Sequence, residues 1–215
     1  MKSNRNFSTK VARFSLIAAL AISATGCIEL AVGSAVMGGF AATDRRTFGA
    51  QTEDKAIVLK GEGRLSQVFG KAAHINVTSF NRRALLTGEV ADDNARQLAE
   101  REIRAIDGVV HVVNEIQIAP LSDLSARSND ALITTKVKAS FVDTGGLSAN
   151  SFKVVTEAGT VFLMGRVTQR EGALAADVAS RTSGVRKVVK VFDYISEQEL
   201  QDMRKSTEKN DSRGS

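Results

Sequence analysis

Two six-residue stretches decide the fold of this chain: Leu85-Leu86-Thr87-Gly88-Glu89-Val90 and Phe162-Leu163-Met164-Gly165-Arg166-Val167. Both are strand-like and hold a central glycine. The flanking segments also correspond in order and spacing, since residues 75–78 match residues 152–156 and residues 107–114 match residues 183–190. Three correspondences in register predict an internal repeat, with two domains of roughly seventy residues each, a size that permits independent folding.

The second repeat predicts the order helix, strand, strand, helix, strand, which is an α+β fold. A buried helix face is predicted by three apolar residues spaced four apart, Ile133, Val137 and Phe141. Ser128 is predicted to cap the start of this helix. Glu157-Ala158-Gly159 separates two strand-like runs and predicts a hairpin.

Further along the second repeat, Thr168-Gln169-Arg170-Glu171 has the form of a capping box and opens the second helix, which Gly184 is predicted to end. The first repeat follows the same plan, with Asp92 or Asp93 as the cap of its second helix. Its opening helix is predicted to be the weaker one, because Gly61 and Gly63 each cost about 1 kcal/mol relative to alanine.

Domain boundaries follow from the repeat. We predict a signal peptide over residues 1–26, a lipidated N-terminus and tether over residues 27–52, and a first domain over residues 53–119. A linker over residues 120–127 contains the only proline, Pro120. The second domain is predicted over residues 128–196. Residues 197–215 are charged and lack apolar periodicity after Met203, which predicts a flexible tail.

The N-terminal residues have the layout of an export signal. Residues 1–13 are basic and contain no acid, and the apolar run that follows is shorter than the ~20 residues of a membrane-spanning helix. Ala24-Thr25-Gly26 then precedes Cys27, as in a lipobox, where the cysteine carries a covalent diacylglycerol and an N-acyl chain. Ala24 replaces the usual leucine, which leaves ordinary signal-peptidase cleavage nearby open. Ile28, rather than aspartate, predicts sorting to the outer membrane, facing the periplasm.

Composition excludes several function classes. Four of the 29 cations lie in the signal peptide, so 25 cations meet 24 acids in the mature chain, and nucleic-acid binding is not expected. One cysteine rules out an internal disulfide, and with only two histidines we expect no zinc or iron–sulfur site. Neither His74 nor His111 has a nucleophile at a recognised spacing, so we predict no catalytic residues and no enzyme.

Taken together, these features resemble the tandem BON-domain outer-membrane lipoproteins of Gram-negative bacteria. The resemblance rests on the lipobox, the tandem repeat and the linker in that order, and on recurring glycines: Gly88, Gly165, Gly108-Val109 and Gly184-Val185. It implies a three-stranded mixed sheet packed on two helices in each domain. It also implies that the opening helix of the second domain binds anionic phospholipid, that the protein supports outer-membrane integrity, and that it has a link to the division site.

The charges agree with a lipid-binding second domain. Residues 128–196 hold nine cations and six acids, a net +3, whereas residues 53–119 hold nine cations and ten acids, a net −1. Each Lys or Arg near an anionic bilayer contributes about 1 kcal/mol. An apolar side chain off the core face, next to cations, suits insertion among headgroups. The predicted lipid-binding residues are Leu132, Thr135, Lys136, Lys138 and Ala139.

Two alternatives stay open at this point. Leu132 can instead contact the other domain or the linker, and the lysines can belong to an ordinary solvated face. The whole protein can also be a protein-binding adaptor, in which the second domain docks an outer-membrane assembly or division machine and its contact with lipid is incidental.

Overall fold

The computed structural model describes residues 44–211, and its elements follow the predicted order. The first domain contains, in order, α1 (Phe48–Phe69), β1 (His74–Phe80), β2 (Arg83–Val90), α2 (Asp93–Arg104), β3 (His111–Asn114) and β4 (Gln117–Ile118). The second contains α3 (Leu124–Asp143), a 3-10 turn, β5 (Phe152–Glu157), β6 (Thr160–Val167), α4 (Gln169–Ser180) and β7 (Lys187–Tyr194), followed by α5 (Glu197–Asp211). The α+β class and the α-β-β-α-β order are confirmed.

Each domain has a mixed sheet with its second strand in the middle. β2 pairs antiparallel with β1 and parallel with β3, and β6 pairs in the same way with β5 and β7. The first sheet differs in one respect, because its last strand is interrupted. The side chain of Asn114 accepts a hydrogen bond from the N–H of Ile116, and the chain then rejoins β2 as the short β4. The expected three-stranded mixed sheet is thus present twice, once with this added segment.

The central strands are buried on both faces, which explains their long apolar runs. In β2, Ala84 and Leu86 face the helices of their own domain, whereas Leu85 between them faces away. In β6, Val161 and Leu163 likewise pack under the helices, and the alternate residues join a different cluster. That cluster draws on both domains and consists of Phe80, Leu85, Phe162, Met164 and Val191. The two sheets therefore share a core on the faces that their helices do not cover.

A buried aspartate holds the hairpin of each domain. Asp54 of α1 accepts hydrogen bonds from the N–H groups of Asn81 and Arg82 at 2.7 and 2.8 Å. Asp130 of α3 accepts the equivalent bonds from Ala158 and Gly159, both at 2.9 Å. All four turn residues have positive φ, as a two-residue hairpin turn of type I′ requires. The opening helix of each domain is therefore tied to the tip of its own hairpin.

The two strand glycines are required by close approach of the backbone. A Cβ on Gly88, which has φ +113°, would lie 1.9 Å from the carbonyl oxygen of His74. A Cβ on Gly165 would lie 2.6 Å from the carbonyl oxygen of Ser151. No side chain fits at either position, which is why the repeat keeps glycine there.

Two of the predicted helix starts are confirmed. Asp92 caps α2 through the N–H of Ala95, and Thr168 and Glu171 form the predicted capping box. The prediction that Ser128 caps α3 is wrong, because Asp123 is the N-cap and the helix begins at Leu124, inside the predicted linker. The hydroxyl of Ser128 instead donates to the carbonyl of Leu124 within the helix.

Three other expectations need correction. The opening helix of the first domain begins at Phe48, with Thr47 as its N-cap, so it includes residues assigned to the tether. The helix α4 ends at Ser180, and Gly184 lies in the turn beyond it. The predicted flexible tail is helical over Glu197–Asp211, because Leu200 is buried and Ser196 accepts a hydrogen bond from the N–H of Glu199.

The two glycines of α1 differ in their surroundings, which helix propensity alone does not take into account. A Cβ on Gly63 would meet nothing within 4 Å, whereas a Cβ on Gly61 would lie 2.9 Å from Cδ1 of Ile103. We expect Gly63→Ala to raise the free energy of unfolding by up to about 1 kcal/mol and Gly61→Ala to lower it. Urea unfolding of the mature chain measures both, and a shift in the same direction would contradict this packing.

The expected signal peptide, Cys27 and most of the tether lie outside the described residues. None of the helices within residues 44–211 combines the length and the apolar composition needed to cross a bilayer.

Candidate functional site

The helix α3 divides into a buried face and a solvent face. Ile133, Val137 and Phe141 are buried in the core of the second domain, as their spacing predicts. Asp130 is buried one turn earlier, where it holds the hairpin. These four residues fix the rotation of the helix about its axis and so determine which side chains face solvent.

The predicted lipid-binding residues all lie on the solvent face. Leu132 is 60% exposed, and the four others are also exposed: Thr135, Lys136, Lys138 and Ala139. Leu132 is therefore not buried against the other domain or the linker. At ~100° per residue, Leu132, Thr135 and Ala139 point about 140–160° away from Val137 at the centre of the buried stripe, and the two lysines lie about 100° from it on opposite sides.

The sequence missed a further apolar residue on this surface. Val142, in the last turn of α3, is 73% exposed. It follows Ala139 by three residues and so extends the same stripe by one turn. In the sequence, Thr135, Lys138 and Val142 have the i, i+3, i+7 spacing of a single helix face. This pattern was weaker than that of the apolar core stripe. We call Leu132, Thr135, Lys136, Lys138, Ala139 and Val142 the α3 surface.

Ion pairing accounts for only some of the positive charge of the second domain. Arg166, Arg170 and Arg181 pair with acids, and Lys153 is partly buried, with its ammonium group 3.3 Å from the carbonyl of Ser79. Within residues 44–206, the other cations counted for this domain are exposed and have no ion pair: Lys136, Lys138, Arg186, Lys187 and Lys190. They lie on α3 and on the turn and strand that follow α4.

The structure also places the turn that carries one of these cations, Arg186, next to α3. Asp130 binds the N–H of Ala158, and the guanidinium of Arg186 donates to the carbonyl of that same residue. On Gly184, a Cβ would lie 2.9 Å from Cγ1 of Ile133 in α3. The turn that carries Arg186 therefore packs against the N-terminal half of α3.

Lys153 illustrates why a charge count overstates the surface potential. Burial lowers the pKa of its ammonium group, and the charge of Arg46 lowers it further, while Asp54 opposes both. Its position facing the first domain makes it part of the contact between the domains rather than of the α3 surface.

Two clusters join residues that are distant in sequence. Arg45 forms a salt bridge with Glu171, at the start of α4. His74, Glu89 and Glu157 bring possible metal-ligand atoms within 4.8 Å of one another. No sequence spacing indicated either cluster.

Comparison with known proteins identifies the repeat. The family model described as "BON domain" matches residues 62–120 and 129–196. The chain belongs to the BON-domain family. Each BON match begins inside an opening helix and ends at or just after the last strand, so it covers the repeat unit that the structure shows.

Relatives of the BON protein extend the match beyond the two domains. The chain is 36% identical over 172 residues to "Outer membrane lipoprotein DolP" of Haemophilus influenzae, which covers 79% of this chain and 89% of the relative. It is 32% identical over 154 residues to "21 kDa hemolysin" of Actinobacillus pleuropneumoniae, covering 71% and 79%. The outer-membrane, lipid-anchored location expected from Cys27 and Ile28 agrees with the name of the first relative.

Among solved structures, the similarity is lower. The chain matches CdsD, a structural protein of the type III secretion system of Chlamydia trachomatis, with 12% identity and a TM-score of 0.27, covering 69% of this chain and 97% of the other. A TM-score at this level adds nothing to the BON assignment.

Proposed function

We propose that this chain is an outer-membrane BON lipoprotein whose second domain binds anionic phospholipid through the α3 surface. Acyl chains on Cys27 hold it in the inner leaflet of the outer membrane, and the α3 surface then contacts the headgroups. The proposed role is one of binding, with no catalytic step, and it serves outer-membrane integrity. The resemblance to tandem-BON lipoproteins supports extending the role to the division site.

The observation that carries the proposal is an exposed apolar stripe flanked by unpaired cations. Insertion of the Leu132 side chain into the headgroup layer contributes up to about 1.5–3 kcal/mol. Each nearby cation contributes about 1 kcal/mol on an anionic bilayer, and the long side chains of Lys136 and Lys138 let their ammonium groups stay at the level of the phosphates. The acyl chains supply the larger share of the binding energy, so this surface selects the headgroup and orients the domain.

Vesicle pelleting of the mature chain without acyl groups (Cys27→Ser) tests the lipid contact. We expect retention on phosphatidylglycerol vesicles and little on phosphatidylcholine vesicles, with retention falling as salt screens the charges. Leu132→Glu should lower the partition coefficient by about tenfold or more, because it removes an inserted apolar group and adds a negative charge.

The opening helix of the first domain offers a matched control. Leu59 of α1 is also an exposed leucine, but its domain carries a net negative charge, so Leu59→Glu should leave retention unchanged. Equal losses of vesicle retention in Leu132→Glu and Leu59→Glu would contradict a specific role for α3. A chain that pellets with neither kind of vesicle would contradict lipid binding and favour the protein-binding adaptor.

A further inference from the structure

Three side chains of metal-ligating types meet where the two BON domains join. His74 begins β1, Glu89 lies opposite it on β2, and Glu157 ends β5 of the second domain. One nitrogen or oxygen of each lies within 4.8 Å of the corresponding atoms of the other two. Both glutamates are 4% exposed, whereas His74 is half-buried. The cluster is therefore enclosed by protein and open to solvent on the imidazole side.

Hydrogen bonds already orient these side chains. Nδ1 of His74 is 2.9 Å from Oε2 of Glu89, which also accepts hydrogen bonds from the N–H and hydroxyl of Ser122. The amide of Asn76 donates to Oε2 of Glu157 at 2.8 Å. Hydrogen bonds of this kind fix carboxylates and imidazoles in metal sites.

The charge of the cluster favours a cation. Both of its carboxylates are buried, and Asp130 lines the same groove as His74 and Glu157. Asp130 is itself held by the N–H groups of the hairpin turn. Two buried carboxylates therefore face a single imidazole, and uncompensated negative charge of this kind is costly unless a cation offsets it.

We infer that His74, Glu89 and Glu157 form a binding site for a divalent transition-metal ion, with Zn²⁺ as the best fit. Zn²⁺ accepts nitrogen and carboxylate ligands in tetrahedral geometry, with water in a fourth position. Its ligand atoms are about 3.3 Å apart, so the glutamate side chains must rotate to reach that spacing.

The site has a route for the ion and a consequence for the fold. A groove lined by Asn76, Arg127, Thr134 and Val155 leads from solvent to His74 and Glu157. Because the ligands come from both domains, the bound ion links them across their shared core. The sequence argument against metal counted only histidine and cysteine, and it overlooked carboxylates that the fold brings to His74 from 15 and 83 residues away.

Calorimetric titration of the mature acyl-free chain with ZnCl₂ tests the site. We expect one equivalent to bind, and His74→Gln and Glu157→Gln each to weaken binding by about tenfold or more. Glutamine at position 157 keeps an oxygen for the Asn76 amide, and unfolding midpoints in EDTA verify that the variants fold. The second histidine supplies the control, because His111 is exposed on β3 and His111→Gln should bind Zn²⁺ normally.

Nitrogen NMR of the unsubstituted chain gives a readout that does not depend on variant folding. Zn²⁺ should shift the imidazole nitrogen signals of His74 and leave those of His111 in place. Binding that survives His74→Gln, a shift confined to His111, or the absence of stoichiometric binding would each overturn the proposal. None of these outcomes depends on vesicle binding, so the metal site and the lipid contact are tested separately.

Discussion

Replacing Asp130 by alanine should lower the free energy of unfolding by about 3–5 kcal/mol. Its carboxylate is 6% exposed and accepts hydrogen bonds from the N–H groups of Ala158 and Gly159. Hydrogen bonds to a charged group contribute about 1.5–3 kcal/mol each, and their loss leaves a buried turn without its acceptor. Urea unfolding of the mature chain, followed by circular dichroism, measures the loss.

The other end of α3 supplies the control for this prediction. Asp143 is exposed in the last turn, where a negative charge opposes the helix dipole, so Asp143→Ala should be neutral or slightly stabilising. Asp54→Ala should destabilise the first domain in the same manner as Asp130→Ala, because Asp54 holds the equivalent turn. A cost below about 1 kcal/mol for Asp130→Ala would show that the carboxylate is not what holds the hairpin.

Local periodicity predicted the element order and the exposed face of α3 correctly. The spacing of Ile133, Val137 and Phe141 determines the rotation of that helix without any knowledge of its partners. The strand pattern around Gly88 and Gly165 was equally informative, because a glycine inside an apolar strand indicates close backbone approach. These features depend on residues only a few positions apart.

Contacts between distant residues could not be predicted in this way. The acceptor role of Asp130 depends on N–H groups 28 and 29 residues later, and near the helix start the sequence predicted Ser128 as the cap. The packing of one sheet on the other could have been predicted from the central strands, although our sequence analysis did not predict it. In Leu85-Leu86 and Phe162-Leu163-Met164, consecutive apolar residues point to opposite faces, which indicates a strand buried on both sides.

Replacing Arg45 by alanine should also cost about 3–5 kcal/mol, because it leaves the buried carboxylate of Glu171 without its cation. The side chains of Arg45 and Glu171 are 9% and 2% exposed. The guanidinium donates to both carboxylate oxygens, at 2.8 and 2.7 Å, and also to the carbonyl of Arg166 at 2.9 Å. This bidentate geometry is the strongest form of the arginine–carboxylate contact.

A double-mutant cycle separates the pair from the rest of the fold. Arg45→Ala with Glu171→Ala should cost less than the sum of the two single variants, since no unpaired buried charge then remains. The exposed pair Arg82–Glu53 is the comparison, with side chains 47% and 44% exposed, and Arg82→Ala should cost less than about 1 kcal/mol. If the double variant lost as much unfolding free energy as the sum of Arg45→Ala and Glu171→Ala, the two side chains would not be directly coupled.

The pair also predicts a dependence of stability on pH. Burial alone raises the pKa of Glu171, but hydrogen bonds from Arg45 and from the N–H of Thr168 outweigh it, so the pKa lies below its ordinary value. A carboxyl group with a lowered folded-state pKa contributes stability above its unfolded-state pKa and loses it as pH falls through the folded-state pKa. The difference in unfolding free energy between the wild type and Arg45→Ala should therefore decrease as the pH falls through the folded-state pKa of Glu171. A difference that stays constant into strong acid would contradict this.

The Arg45–Glu171 pair has a consequence for the proposed membrane contact, because it attaches the residues that follow the predicted tether to the second domain. Cys27 and Arg45 are 18 residues apart, so the segment between them spans at most ~60 Å, whatever its conformation. The pair thus limits how far the α3 surface can lie from the acyl anchor. In Arg45→Ala, the first remaining attachment of the segment is the Arg46–Asp54 pair on the first domain, so the segment gains reach and the effective concentration of the α3 surface at the bilayer should fall.

An environment-sensitive dye on the acylated protein measures this effect. With Cys27 acylated, Thr135→Cys supplies a single free thiol on the α3 surface, and the dye reports contact with the headgroup layer. We expect the dye signal on phosphatidylglycerol vesicles to decrease in Arg45→Ala while the protein remains bound through its acyl chains. An unchanged signal would show that the α3 surface finds the bilayer without this attachment, and that the pair serves only to stabilise the fold.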